Sequence, residues 1–289
     1  MSSMDKKITS VSEYSCHNGS IGFYSHEACS TECPMRFSVY QPPLARSSRV
    51  PALYFLAGLT CTEETFMIKA GAQRLAARLG LILVTCDTSP RGLDLPGDTD
   101  HWDFGVGASF YIDATEKPWS RHYRMATYIN DELPDVIEAN FPALPDCRGL
   151  FGHSVGGHGA LVNALRNPDR WQSVSAFAPV CNPVAVPWGE KAFRHYLGGE
   201  LSRWAEWDAS LLMASHSYPG EILVDQGERD EFFHSQLHPD ALANSATASG
   251  QHLTLRRHPD YDHSYWFIQT FIEDHLTHHA RLLGLTEAK

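Results

Sequence analysis

Short apolar runs alternate along the chain with segments of helical periodicity. Most of the runs are continuous in Leu, Ile, Val and Phe, which is typical of strands buried on both faces. Predicted strands cover residues 51–57, 81–86, 173–178, 221–225 and 252–257 (the last of alternating character), with one short strand just before residue 152. Predicted helices cover residues 65–79, 123–140, 157–166, 236–249 and 264–282, and Gly80 is a candidate C-cap for the first. This alternation predicts an α/β fold with a mostly parallel central sheet and helices on both faces.

The N-terminal 40 residues have a different pattern. Residues 21–24 and 36–40 predict antiparallel strands that lead into the parallel sheet. Repeats, low-complexity tracts and linker-like segments are absent from the sequence, so we expect a single domain over residues 1–289. The segments 87–121 and 179–210 are too elaborate for plain connections, and loops at the carboxyl ends of parallel strands are where ligands bind.

Composition narrows the class of protein. A hydrophobic content of 43% and a charged content of 20% are ordinary for a soluble enzyme, and no apolar stretch is long enough to span a membrane. Residues 1–7 lack the apolar core of a signal peptide, so we expect a cytoplasmic protein whose seven cysteines are reduced. Without a C-x-x-C pair, neither a disulfide framework nor a zinc site is expected, and we predict no metal and no cofactor.

Charge excludes some partners. The formal net charge of −11 disfavours nucleic acid and anionic membranes, and it means that recognition of an anionic substrate must be local. The chain has 16 histidines, and we expect those near the C-terminus, such as His275, His278 and His279, to lie on a solvated helix surface.

The sequence Gly152-His153-Ser154-Val155-Gly156 has the form of a nucleophile elbow. In such an elbow a serine lies on a tight turn between a strand and a helix, and glycines two residues to either side let the two elements approach. The pattern is weak evidence by itself in a chain rich in Ser and Gly. The predicted strand before it and helix after it make Ser154 a candidate nucleophile.

A serine nucleophile needs a base, and the base needs an orienting acid. In the α/β-hydrolase fold these residues follow in the chain order Ser, Asp or Glu, His. Asp230 lies just past the predicted strand 221–225 and is the preferred acid, with Asp225, at the strand end, as its rival. His263, between the last strand and the last helix, is the preferred base over His258.

An oxyanion hole requires two N–H groups aimed at the developing negative charge. The residue after the nucleophile, Val155, supplies one, and Leu59, in the turn after strand 51–57, is the candidate for the second. A simple glycine-based exit from the strand would explain the same turn equally well.

Eight motifs in one order resemble the S-formylglutathione hydrolase (esterase D) family. They begin at Gly58-Leu59-Thr60-Cys61, Lys69-Ala70-Gly71, Asp87-Thr88-Ser89-Pro90-Arg91-Gly92, Gly105, Gly152-His153-Ser154, Pro187-Trp188-Gly189, Asp225-Gln226-Gly227 and Tyr261-Asp262-His263-Ser264-Tyr265. The resemblance covers about residues 10 to 283 and implies an α/β-hydrolase fold. It also implies hydrolysis of S-formylglutathione to glutathione and formate, side activity on small carboxylic esters, and a homodimer.

The resemblance places the family's triad on Ser154, Asp230 and His263, which favours Asp230 over Asp225. Three positions depart from the family: Val155 stands where Met is usual, Ala57 where Ser is common, and Cys86 where Pro is common. The N–H of Val155 is independent of its side chain, so the departure at Val155 concerns acyl preference rather than the oxyanion hole.

Four further residues are candidates for substrate binding. Cys61 adjoins the oxyanion turn, and the resemblance links this cysteine to sensitivity toward thiol reagents, although a small buried filler would look the same. Trp188, Lys191 and Phe193 are predicted to line the glutathione side of the pocket, with Lys191 offering a positive charge to a carboxylate. A packed loop with a solvated lysine is the structural alternative.

Other functions are less well supported by the sequence. A general carboxylesterase or an acyltransferase would use the same residues and would differ in the acyl acceptor. A non-catalytic binding protein would be expected to lack a triad member. A metal hydrolase would need paired histidines with ligand spacing and a carboxylate base, a pattern that the sequence lacks.

Overall fold

The apolar runs form one large sheet in the computed structural model, which describes residues 6–285. Residues 1–5, part of the segment expected to lack a signal peptide, lie outside the described residues. The strands are β1 (Thr9–Cys16), β2 (Gly19–Ala28), β3 (Cys33–Gln41), β4 (Val50–Leu56), β5 (Ile82–Cys86), β6 (Ala143–His153), β7 (Ser173–Phe177), β8 (Ile222–Gly227) and β9 (Leu253–His258). Their order in the sheet is β1-β2-β3-β5-β4-β6-β7-β8-β9.

The sheet has two parts of different polarity. β1, β2 and β3 pair antiparallel with one another, and β3 pairs antiparallel with β5. From β5 to β9 every neighbouring pair is parallel. Every residue of β4, β5, β7 and β8 is buried, which requires cover on both faces of the sheet. The α/β prediction, with antiparallel N-terminal strands before a mostly parallel sheet, is therefore confirmed.

Ten helices supply that cover in the described part of the chain, together with short 3-10 and π segments. They are α1 (Glu63–Lys69), α2 (Gln73–Leu79), α3 (Met125–Thr127), α4 (Leu133–Asn140), α5 (Val155–Arg166), α6 (Pro187–Leu197), α7 (Leu201–Ala205), α8 (Ala209–Ser215), α9 (Pro239–Ser249) and α10 (Tyr265–Leu282). α5 packs against β4, β6 and β7, and α10 packs against β7 and β8. The nucleophile elbow thus lies near the middle of the sheet.

The predicted helix 65–79 is wrong as a single element. Gly71 adopts a φ of +68°, in the left-handed region, and the chain breaks there between α1 and α2. Gly80 does end α2 in a left-handed conformation with φ of +72°, as predicted. An apolar periodicity that continues across a break cannot reveal the break.

The expectation that the C-terminal histidines are solvated is also wrong. His275, His278 and His279 are all buried, because this face of α10 packs on the sheet. Both ring nitrogens of His279 hydrogen-bond to hydroxyls of β7, at 2.6 Å from Ser173 Oγ and 2.8 Å from Ser175 Oγ. Hydroxyl partners allow the imidazole to occupy an otherwise apolar contact.

Candidate active site

Ser154 lies at the sharp turn between β6 and α5. Its φ of 59° and ψ of −121° are sparsely populated for a residue with a side chain, and such strain is typical of functional turns. A Cβ on Gly152 would lie 2.3 Å from the carbonyl oxygen of Gly156, and a Cβ on Gly156 would lie 2.0 Å from that of Leu56. The backbone therefore excludes any side chain at these two positions, as the elbow pattern requires.

Asp230 and His263 lie together in the loops that follow β8 and β9. Asp230 Oδ2 is 2.5 Å from His263 Nδ1, and because a carboxylate only accepts, the imidazole donates this hydrogen bond. The same carboxylate accepts from the backbone N–H of Phe232 at 2.9 Å and from Gln226 Nε2 at 3.4 Å. Its side chain is completely buried. These contacts fix the orientation of the imidazole and leave its Nε2 for a reacting group.

The rival acid and base lie in a separate cluster. Asp225 is on β8 and forms a bidentate pair with Arg256, with two N···O distances of 2.6 Å. His258 Nε2 and His275 Nε2 lie 3.4 Å and 3.3 Å from its oxygens. Burial would raise the pKa of Asp225, but hydrogen bonds with His275 and Arg256 outweigh burial and lower it. Asp225 is therefore a permanently charged partner of Arg256.

Ser154 and His263 line one cavity of about 260 Å³, here called the catalytic cavity. Its lining is Gly58, Leu59, Cys61, Thr65, Lys69, Trp102, His153, Ser154, Trp188, Phe232, His263, Ser264 and Tyr265. Another cavity, of about 610 Å³, is lined by Glu63, Asp87 and Arg91 among others and does not include the serine. We place the candidate site in the smaller cavity, because it contains the candidate nucleophile and the candidate base.

The turn after β4 lies close to Ser154. A Cβ on Gly58 would lie 3.2 Å from Ser154 Cβ, so the turn and the elbow are in close approach. The N–H groups of Thr60 and Cys61 are used within the loops, bonding to the carbonyl oxygens of Gly107 and Gly58. Leu59 faces the cavity.

Val155 is the first residue of α5, a position whose N–H has no acceptor one turn back in the helix. The N-terminus of α5 also carries a positive partial charge. The two backbone groups named from the sequence, on Leu59 and Val155, thus belong to the two turns that meet at the serine.

The four predicted substrate residues divide into two pairs. Cys61 and Trp188 line the catalytic cavity, and the Trp188 ring packs against Phe232 with centroids 4.7 Å apart. The structure does not bring Lys191 and Phe193 to this cavity. Lys191 Nζ is 2.8 Å from each carboxylate oxygen of Asp103, so its charge is already paired.

Phe193 is fully buried, with its ring against Phe110, His158 and Trp204. It lies on α6 five positions after Trp188, so helical periodicity places its side chain on a different face of the helix. Lys191 is three positions after Trp188, and its pairing with Asp103 rather than the helical spacing keeps it from the cavity.

Sequence reasoning missed several cavity residues. Lys69 and Tyr265 lie within motifs that resemble the family, but neither residue type by itself indicates a role in the site. Trp102 comes from the loop 87–121, and its ring meets that of Trp188 with centroids 5.6 Å apart. His153 lies beside the base, with ring centroids 4.4 Å apart, and burial together with the nearby His263 lowers its pKa well below the usual value.

Comparisons with known proteins fit this geometry. Residues 28–278 match a protein family described as "Putative esterase". S-formylglutathione hydrolase from Rattus norvegicus is 48% identical over 280 residues, which cover 96% of this chain and 99% of the rat protein. The chain belongs to the S-formylglutathione hydrolase family. The enzyme of that name from Mus musculus is 49% identical over 279 residues, with the same coverage.

A solved member of the S-formylglutathione hydrolase family has nearly the same fold. The enzyme from Agrobacterium tumefaciens superposes with a TM-score of 0.93 at 43% sequence identity, covering 96% of this chain and 100% of its own. Among residues 6–285, none of the helices combines the length and the apolar character needed to cross a membrane.

Proposed function

We propose that this chain is a serine thioesterase that hydrolyses S-formylglutathione to glutathione and formate. The observation that carries the proposal is the hydrogen bond between Asp230 and His263 beside a cavity that contains Ser154. Near-full-length relatives at 48–49% identity that bear this activity in their names support the substrate. Side activity on small carboxylic esters follows from the same machinery, consistent with the esterase family match.

Acylation begins when His263 takes the proton of Ser154 through Nε2, while Asp230 stabilises the imidazolium that forms. The serine oxygen attacks the formyl carbonyl, and the N–H groups of Leu59 and Val155 stabilise the oxyanion. The carbon–sulfur bond then breaks. Glutathione leaves as a thiolate and takes the proton of the His263 imidazolium, so it departs as the thiol and returns His263 to its neutral form.

Deacylation reuses the same residues. Water enters where the thiol has left, and His263 removes its proton as the water attacks the formyl-serine. Collapse of the second tetrahedral intermediate releases formate and returns the proton to Ser154. Cys61 and Trp188 border this space and are proposed to contact the substrate.

The test compares kcat/KM for S-formylglutathione and p-nitrophenyl acetate, with Ser154→Ala as the blank. We expect a strong preference for the thioester that the blank abolishes. Equal or reversed preference would leave a carboxylesterase as the function. Transfer of the acyl group to added alcohol would point to an acyltransferase.

A cytoplasmic location and a homodimer are further parts of the proposal. The location is supported by the seven cysteines, all of which are free, as is usual in a reducing compartment, and the dimer by the family resemblance. Cell fractionation and sedimentation equilibrium test them. A monomer at micromolar concentration would contradict the dimer.

A further inference from the structure

Lys69 gives the catalytic cavity a charge that the mechanism above does not use. Of the cavity-lining residues in the described part of the chain, Lys69 alone carries a formal charge near neutral pH, apart from the imidazoles. It lies in the last turn of α1 and is exposed, with Nζ 5.7 Å from the centroid of the Tyr265 ring. None of the described residues that line the cavity carries a carboxylate.

The electrostatics of the whole chain make this lysine significant. At a net charge of −11 the protein repels anions at long range, so an anionic substrate needs a local cation at the site. Lys191 is paired with Asp103 and lines a different cavity. Within residues 6–285, no ion pair is formed by Lys69, so its ammonium group remains available to a ligand.

We infer that Lys69 binds a carboxylate of the thiol leaving group and so selects anionic thioesters. The inference rests on the proposed function, for which it identifies Lys69 as a residue that determines substrate specificity. Each residue of an extended chain spans roughly 3.5 Å, so the carboxylates of a tripeptide thiol lie on the order of 5–10 Å from its sulfur. The ammonium group of Lys69, at the rim of the catalytic cavity, can therefore contact one of these carboxylates while the thioester carbonyl lies at Ser154.

The experiment measures binding without turnover of the thioester. S-methylglutathione and its dimethyl ester, in which both carboxylates are blocked, are used as competitive inhibitors of p-nitrophenyl acetate hydrolysis. The variants are Lys69→Met, Lys69→Arg and Lys191→Met. Lys6→Met removes the same charge at a remote surface pair with Asp135 and serves as the control.

For the wild type we expect tighter inhibition by S-methylglutathione than by the dimethyl ester, with a difference that shrinks as salt is added. Lys69→Met should raise the Ki of S-methylglutathione by about tenfold, the size expected for one charge-assisted contact, and remove the preference. Lys69→Arg should retain most of the preference. Lys6→Met should retain it fully.

Several results would overturn the inference: no preference in the wild type, an equal loss for both inhibitors in Lys69→Met, or a loss of preference in Lys191→Met instead. Turnover of S-formylglutathione is measured separately. If the preference depends on Lys69 but the wild type does not cleave S-formylglutathione, the inference stands and the proposed function fails. If turnover is efficient but the preference does not depend on Lys69, the proposed function stands and the inference about Lys69 fails.

Discussion

Asp225 and Asp230 are five positions apart, and both side chains are completely buried. Their partners separate their roles. Asp225 neutralises a guanidinium and touches two histidines of the sheet and α10, whereas Asp230 accepts from the imidazole that borders the catalytic cavity. Spacing along the chain could rank these two residues, but only the contacts explain why each is there.

Substitution of the two aspartates should therefore affect different quantities. Asp230→Asn should lower kcat on the order of 10³–10⁴-fold, because the amide no longer stabilises the imidazolium or selects its tautomer, with little change in Tm. Asp225→Asn should retain activity but lower the free energy of unfolding by about 2–3 kcal/mol, since Arg256 loses its buried counter-charge and keeps only the exposed Asp274. Steady-state kinetics and urea unfolding of both variants check this; an active Asp230→Asn enzyme would contradict the assignment.

Cys61 should react with thiol reagents slowly, and faster at higher pH. Burial raises the pKa of its thiol, although hydrogen bonding to Thr65 and the charge of Lys69 offset part of the effect. Since the thiolate is the reactive form, inactivation by iodoacetamide should accelerate as pH rises above neutrality. Cys61→Ser should be active and resistant to the reagent. A Cys61→Ser enzyme that folds but is inactive would show an essential role instead.

At the scale of elements, the elbow depends on how closely β4, β6 and α5 approach one another. Gly156→Ala would place a methyl group 2.0 Å from the carbonyl oxygen of Leu56, in a backbone that cannot move independently. We expect a loss of at least ~3 kcal/mol in the free energy of unfolding, or failure to fold. Gly199→Ala is the matched control, because its Cβ would meet no atom within 4 Å. Equal free energies of unfolding for the two variants in urea would show that the elbow can accommodate the added methyl group.

The turn that contains Leu59 and Cys61 is held by hydrogen bonds from the loop 87–121. The carbonyl oxygen of Cys61 accepts from Thr88 Oγ1 at 2.8 Å and from Arg91 Nη2 at 3.2 Å. Arg91 is itself held by Asp87, with Nε 2.7 Å from Oδ2. This loop therefore positions the backbone that presents Leu59.

Removal of the hydrogen bond from Arg91 should slow catalysis without affecting substrate affinity. We expect Arg91→Met to lower kcat by about tenfold with KM nearly unchanged, since a displaced donor loses part of the ~100- to 1000-fold that a missing one costs. Arg74→Met removes a surface pair with Glu273 and is the control. A KM effect alone in Arg91→Met would place the residue in substrate binding.

The sequence was sufficient to predict the sheet apart from β1, the elbow and the order of its candidate partners, because each depends on local pattern: apolar runs, paired glycines, and polar residues just past strand ends. β1 was missed because most of its side chains are exposed and form no apolar run. It was insufficient where tertiary packing decides. The break at Gly71 lies within a continuous apolar periodicity. The pairing of Lys191 with Asp103 joins residues 88 positions apart, which no local pattern encodes.

At the scale of the whole molecule, buried histidines link stability to pH. Burial lowers the pKa of His158 and His278 to about 4, and it also lowers the pKa of His275 and His279. The unfolded chain takes up protons at these positions near pH 6.5, whereas the folded chain does not. Protons therefore favour unfolding, and stability is complete above about pH 6.5 and is lost as pH falls toward 4.

The free energy of unfolding should accordingly decrease by roughly 1.4 kcal/mol per pH unit for each histidine that stays neutral in the fold. Urea unfolding at several pH values between about 7.5 and 4.5 measures this slope. His158→Asn should reduce the slope by about one histidine's share. A stability that is constant over this range would mean that these rings are protonated in the folded state.

The large separation of the site residues along the chain has a consequence for biosynthesis. The elbow is encoded by residues 143–166, whereas the base lies about 110 residues later and is followed by α10, which docks on β7 and β8. At about 5–20 residues per second, a ribosome needs roughly 5–20 s to pass from the nucleophile to the base. During that interval the growing polypeptide holds Ser154 without the imidazole that the proposed mechanism requires, so we expect no turnover until His263 has left the ribosome.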